Sequence, residues 1–297
     1  MIGPADLRGL WGFALTPFRD DRVDEAAFRS GVRLMLDGGA DVVIAGGTLG
    51  QGDRMTDDER VACLALARAE VAGDVPVLGV LVAGDGIASA AGSLAEAGAD
   101  GALLLPVTGA VGDAARALGA VTRGVRGRLP VVLYQRGPLR LEPSELAALA
   151  ESPVLVGLKD AHGELRRFRR LREALGDRLA WIGASEDLAV AYRTHGADAV
   201  SPASLAYAPA YARRYWSALD AGDVAEAVRR LRAFAWPVTD LRYSRPDIDI
   251  SVVRELARCF GRPVGDLRPP AAPLSAAEVA EVERLAGVLR AELGAAG

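Results

Sequence analysis

The chain has 297 residues, 51% hydrophobic and 25% charged, with a formal net charge of -4. This is a globular composition without a disordered signature, and it offers no basic surface for nucleic acid or an anionic membrane. Two distant cysteines, Cys63 and Cys259, and two histidines, His162 and His195, argue against a disulfide framework and nearly exclude a histidine-based metal centre.

From the N-terminus, Met1–Asp6 lacks a basic start followed by an apolar core, so no signal peptide is visible. No apolar run reaches the ~18 residues needed to span a bilayer, and the chain reads as cytoplasmic. Short apolar runs then recur, each followed by a turn and a longer helical pattern. The expected strands are Leu10–Thr16, Asp41–Ala45, Pro76–Val82, Gly101–Leu105, Pro130–Tyr134, Leu155–Lys159, Leu179–Gly183 and Ala199–Ser201. Amphipathic stretches such as Glu25–Gly38, Asp57–Ala72 and Ser144–Glu151 lie between them. Thr56 and Glu59 have the spacing of a capping box, and Gly38-Gly39, Gly73, Gly98 and Gly196 suit left-handed helix ends.

Near-continuous apolar strands alternating with helices imply a parallel sheet covered by helices. Eight such units predict an α/β fold, a (β/α)8 TIM barrel, over 1–222. An open doubly wound sheet is the alternative, weakened because no G-x-G-x-x-G follows the first strand. After Ala206 only helices are expected: Pro209–Ala221, Val224–Phe234, Ile250–Phe260 and Ser275–Leu293, the last with its own capping box at Ser275 and Glu278. Residues 223–297 thus form a C-terminal helical extension, expected to pack on the barrel, with a proline-rich linker at Arg268–Pro273.

Lys159 is the only lysine in a chain with 35 lysines and arginines together. Arginine serves wherever a fixed charge suffices, whereas a buried lysine can lose its proton and become a nucleophile. Lys159 ends the apolar run Val154–Leu158 and Asp160 begins a polar turn, so the lysine stands at the carboxyl end of a buried strand. Barrel active sites lie at those ends, and a Schiff-base nucleophile is expected there.

The neighbouring strand ends supply matching chemistry. The fifth ends in Tyr134-Gln135-Arg136, and the second runs into Gly46-Gly47-Thr48-Leu49-Gly50-Gln51. A tyrosine near the amine can move protons on and off oxygen as a carbinolamine collapses, and a threonine can extend that relay. The glycine loop can present N–H groups to an oxyanion or carboxylate. Gly157 would leave room for a ligand beside the amine. Gly183 and Ser201 end the seventh and eighth strands. Taken singly, each has an ordinary explanation: Tyr134 as a strand cap, Thr48 and the glycines as turn residues, Arg136 and His162 as solvated surface groups. Their joint placement carries the signal.

With these residues in view, the chain resembles the dihydrodipicolinate synthase / N-acetylneuraminate lyase family of lysine-dependent class I lyases. Gly157-Leu158-Lys159-Asp160 is similar to the family's G-x-K-D segment, Tyr134-Gln135 to its Y-N strand end, and Thr16-Pro17-Phe18 to its T-P-F turn. Gly183–Asp187 and Gly196–Ser201 follow its later signature. Arg136 and the tail, Ile250–Val253 through Arg268-Pro269-Pro270, most resemble the 5-dehydro-4-deoxyglucarate dehydratase branch. The resemblance implies an imine at Lys159, proton transfer by Tyr134, and Thr48 orienting substrate oxygens. Gly47, Leu49, Arg136, Gly183 and Ser201 are the expected substrate-binding positions. It implies a 2-oxo acid or keto-deoxy sugar acid substrate, no metal or organic cofactor, and a homo-oligomer, dimer or tetramer. Dehydratase and aldolase chemistry both remain open.

Three departures stand out. Leu49 occupies the second hydroxyl position of the family's G-T-T-G-E loop, which binds carboxylate in members acting on 2-oxo acids. Gln51 replaces its glutamate. Pro106-Val107-Thr108 lacks the relay tyrosine found after the fourth strand. They leave room for a second reading, a non-catalytic or substrate-diverged member that binds a carbonyl or acid. A metal-dependent barrel is disfavoured by the two histidines. Leu49 is expected to face outward from its loop with little role in stability, and Lys159→Arg is expected to fold normally.

Overall fold

The computed structural model describes residues 1–71, 73 and 75–294. Eight parallel strands close into a barrel: β1 (Gly9–Phe13), β2 (Val42–Ile44), β3 (Val77–Val82), β4 (Gly101–Leu105), β5 (Val131–Gln135), β6 (Leu155–Asp160), β7 (Ala180–Gly183) and β8 (Ala199–Val200). Each pairs with its neighbours in sequence, and β1 closes the ring by pairing with both β2 and β8. The expected (β/α)8 barrel is the observed one, and all eight expected strands are present. β1 ends at Phe13 rather than Thr16, where the chain departs toward a short hairpin, Phe18–Arg19 with Arg22–Val23.

Alternation along the strands divides the apolar residues into two sets. Trp11, Phe13, Val42, Ile44, Leu78, Val80, Leu103, Leu105, Val132, Ala180, Ile182 and Ala199 fill the barrel interior. The opposite faces pack against an outer ring: α1 (Glu25–Asp37), α2 (Asp57–Glu70), α3 (Ile87–Glu96), α4 (Val111–Gly124), α5 (Pro143–Leu149), α6 (Leu165–Leu175), α7 (Ala189–Thr194) and α8 (Pro209–Asp220). The Thr56–Glu59 box caps α2 in both directions, at 3.2 and 2.9 Å. The expected end of that helix, Ala72, lies outside the described residues.

Beyond the barrel come α9 (Val224–Arg230), α10 (Trp236–Arg242), α11 (Asp249–Cys259) and α12 (Ala276–Gly294). The expected stop at Phe234 is not a stop: a π-helical turn, Leu231–Ala235, carries the chain from α9 into α10. Pro237 lacks an N–H and crowds the preceding turn, and the wider turn absorbs it. The segment after α11 is tied back to the barrel mouth. Arg254, fully buried, donates to the Thr16 carbonyl at 3.1 Å and the Asp266 carbonyl at 2.7 Å. Arg268 lies over the Phe18 ring at 3.9 Å and bonds Asp21 and both oxygens of Glu59.

Candidate active site

Tyr134 and Lys159 are register partners on β5 and β6, so both side chains enter the barrel at one level. The Lys159 amine lies over the Tyr134 ring, 3.8 Å from its centroid, and 4.8 Å from the Phe13 centroid. Lys159 is 3% exposed. Burial, helped by the nearby Arg136 charge and opposed by Asp160, holds its amine well below the ordinary lysine range. Burial pushes the Tyr134 phenol up to about 12, against the pull of Arg136.

The next residues along the same strands, Gln135 and Asp160, are also paired and face outward. Gln135 Nε2 donates to Asp160 Oδ1 at 2.7 Å, and the Leu141 N–H donates to Gln135 Oε1 at 2.8 Å. The Tyr192 hydroxyl donates to Asp160 Oδ2 at 2.6 Å. Asp160 therefore does not begin a solvated turn; it is a buried strand residue, and its bonds lock the outer face opposite the Tyr134–Lys159 pair.

A cavity of about 310 Å3, the liquid volume of some ten waters, opens at this end of the barrel. Of the expected residues, Thr48, Leu49, Tyr134, Arg136, Lys159 and Ser201 line it. Arg136 Nη1 donates to Thr48 Oγ1 at 2.8 Å, which leaves the threonine O–H free to donate. Arg136 is thus a wall of the cavity rather than a solvated surface group. Within the glycine loop the N–H groups of Gly50, Gln51 and Gly52 bond loop carbonyls. Those of Gly47, Thr48 and Leu49 have no partner among the described residues.

The expected glycines are placed differently. A side chain at Gly47 would meet the Phe13 ring at 2.5 Å, so this glycine makes room for the phenylalanine that lines the cavity. Gly183 turns toward α7, where a Cβ would strike the Tyr192 ring at 2.5 Å, and it does not line the cavity. Gly157 makes no room for a ligand: a Cβ there would press on Val132 and the Ala180 carbonyl at 3.2 Å, within the packed interior. His162 is half-buried, with Nε2 2.8 Å from the Leu139 carbonyl. Leu49 does not face outward; it packs on the barrel's inner core.

Most of the lining was not expected from the sequence. Phe13 comes from β1, Ser185 and Glu186 follow β7, and Arg242, Tyr243, Asp249 and Ile250 come from the extension. Asp249 accepts from Arg242 Nε at 2.7 Å. Glu186 accepts from both the N–H (3.1 Å) and the hydroxyl of Ser204, and burial raises its carboxyl to about 6. Phe13 fell inside the first expected strand, whose end was expected at Thr16. The extension residues follow Lys159 by more than eighty positions, and only docking brings them here. Among the described residues no cluster of His, Cys, Asp and Glu could hold a metal ion, and no helix is long and apolar enough to cross a membrane.

A model of the dihydrodipicolinate synthetase family matches residues 6–288. A probable 5-dehydro-4-deoxyglucarate dehydratase of Xanthomonas campestris is 35% identical, covering 94% of each chain. One from Saccharopolyspora erythraea is 35% identical over 92% of this chain and 90% of its own. The fold matches the crystal structure of dihydrodipicolinate synthase from Bacillus clausii with a TM-score of 0.89 at 22% identity, over 97% and 99% of the two chains. N-acetylneuraminate lyase from Fusobacterium nucleatum gives 0.83 at 14%, over 94% and 98%. The chain belongs to the dihydrodipicolinate synthetase family and is a class I, Schiff-base-forming lyase.

Proposed function

We propose that the chain dehydrates a keto-deoxy sugar acid of the 5-dehydro-4-deoxyglucarate kind, through an imine at Lys159. The observation that carries this reading is the buried Lys159 amine, held below the ordinary lysine range against the Tyr134 ring. An uncharged amine keeps the lone pair that attacks a carbonyl carbon. As the N–C bond forms, the carbonyl π pair moves to oxygen and Tyr134 delivers a proton there. The nitrogen, now cationic, gives a proton to the Tyr134 phenolate, which passes it to the same oxygen; that oxygen leaves as water, and the freed nitrogen pair closes the C=N bond. The iminium acidifies the adjacent carbon. The Tyr134 phenolate, strongly basic because its buried phenol resists ionisation, removes that proton to give the enamine. The hydroxyl one carbon further on then departs, protonated, as water, and hydrolysis returns the amine.

Arg136 and Thr48 stand where the carboxylate next to the imine would bind, beside the unpartnered N–H groups of the loop. Leu49 replaces one donor there, so that contact falls to Arg136, whose planar fork suits a carboxylate. We further propose a working division at residues 222 and 223 between barrel and extension, a cytoplasmic setting, and a homo-oligomer, the last from family resemblance. The relatives' names favour dehydration over aldol cleavage. Incubation with 5-dehydro-4-deoxyglucarate and related 3-deoxy-2-oxo acids, followed by proton NMR, tests it. Dehydrated product without released pyruvate is expected; pyruvate release would make the chain an aldolase, and no turnover of any of them would overturn the reading.

A further inference from the structure

We infer that Arg242 is a specificity residue that binds a second carboxylate, at the end of the substrate away from the imine. The inference rests on the imine reading above and adds what the other half of the cavity selects.

Arg242 ends α10 and lines the cavity with its side chain 13% exposed. Its Nε is committed to Asp249 at 2.7 Å, which fixes the guanidinium plane. Among the described residues neither terminal nitrogen has a hydrogen-bond partner. A nearly buried guanidinium with two free donors along one edge presents the geometry that a carboxylate accepts bidentately. The free edge faces the cavity, and a carboxylate seated there would gain a pair of charge-assisted hydrogen bonds.

The two arginines come to the cavity from different elements, Arg136 just after β5 and Arg242 at the end of α10. Arg136 bonds Thr48, and its charge reaches the Lys159 amine. Arg242 acts instead on Glu186 and Tyr207. Tyr243, in the same lining, has the Arg242 guanidinium 5.5 Å from its ring centroid and also feels the Arg136 charge. Neither carboxyl in the wall competes for the free edge. Asp249 is already spent on Nε, and Glu186 is held by the Ser204 N–H and hydroxyl. A three-carbon oxo acid bound at Lys159 and Arg136 would leave much of a 310 Å3 space wet. A longer chain ending in a second carboxylate would reach across it.

The test compares two probes in borohydride trapping at Lys159, pyruvate and 2-oxoglutarate, which share the oxo-acid head and differ in the far carboxylate. In the wild type, half-maximal trapping by 2-oxoglutarate is expected at a concentration at least tenfold below that for pyruvate. In Arg242→Gln that preference should shrink roughly 10- to 100-fold, the scale of a charge-assisted bidentate contact. Arg242→Lys, which keeps the charge and the tie to Asp249 but not the fork, should retain part of it. A wild type without preference, or a preference unchanged in Arg242→Gln, overturns the assignment. Absence of any adduct with either probe would instead count against the imine. Calorimetric binding of 2-oxoglutarate to wild type and both variants then decides Arg242 by itself, with equal affinities overturning it.

Discussion

At the ends of β5 and β6, Tyr134 and Lys159 stand side by side because register puts them there, with Gln135 and Asp160 locking the reverse face. Across the cavity, Arg242, Tyr243 and Asp249 arrive on helices from outside the barrel, held over the mouth by tertiary contacts. The first wall is aromatic and buried, and it lowers the proton affinity of an amine. The second is charged and partly open, and it offers donors to anions. One suits bond making and the other recognition, and they differ in what a substitution should disturb.

The largest expected effect lies on the first wall. Tyr134→Phe keeps the ring against Lys159 and removes the proton donor, so turnover should fall by ~10²–10⁴. Trapping of the imine after long incubation should persist. Turnover within a factor of two of wild type would reduce Tyr134 to a packing role.

Lys159→Met probes the same wall through stability. The folded protein holds Lys159 uncharged at a pH where the unfolded chain protonates it, so the unfolded state binds the extra proton and stability rises with pH up to about 10.4. Methionine removes that burden, worth about 1.4 kcal/mol per unit of displacement. The variant should therefore melt above wild type at pH 7, with the difference narrowing toward pH 10. Lys159→Arg, expected from sequence alone to fold normally, carries a charge that cannot be discharged into this buried position and should melt below Lys159→Met. A methionine variant no more stable than wild type at any pH would mean the amine is charged in the fold.

Gln51→Glu tests the second wall at a distance. Gln51 donates to the Arg268 carbonyl at 2.7 Å and accepts from its N–H at 3.2 Å, a two-bond pairing that needs an amide. A carboxylate would face that carbonyl with no proton to give, which accounts for glutamine at a position where the family has glutamate. The substitution should cost ~1–3 kcal/mol and raise KM more than it lowers kcat, because the recognition wall loosens while the amine stays in place. Denaturant unfolding and steady-state kinetics check both; an equal loss in kcat would mean the two walls are not separable.

The smallest effect is expected at Leu49, which lines the cavity and packs on the inner core. Leu49→Thr should strengthen pyruvate trapping by restoring a donor near Arg136, at about 1 kcal/mol of lost packing. Wild type that traps pyruvate as readily as the variant would remove Leu49 from substrate choice.

The same contrast explains what could be read from the sequence. Strand periodicity and the lone lysine marked β5, β6 and their chemical residues, since a strand end dictates where its last side chains point. Asp160 was misread as a turn because its neighbours are polar, although its partners Gln135 and Tyr192 bury it. The expected helix ended at Phe234, whereas a π turn carries the chain on through Pro237, which hid α10 and with it Arg242. Among so many arginines nothing local marks that one as a cavity residue; its position follows from how Arg254, Arg268 and Gln51 dock the tail.

The most direct measurement is borohydride reduction of the wild type with an oxo-acid substrate, followed by peptide mass mapping. The account predicts one adduct, of reduced-imine mass, on the peptide containing Lys159, formed near neutral pH and lost in Lys159→Met. Full turnover of the substrate with no adduct on that peptide, or an adduct that survives in Lys159→Met, would contradict it.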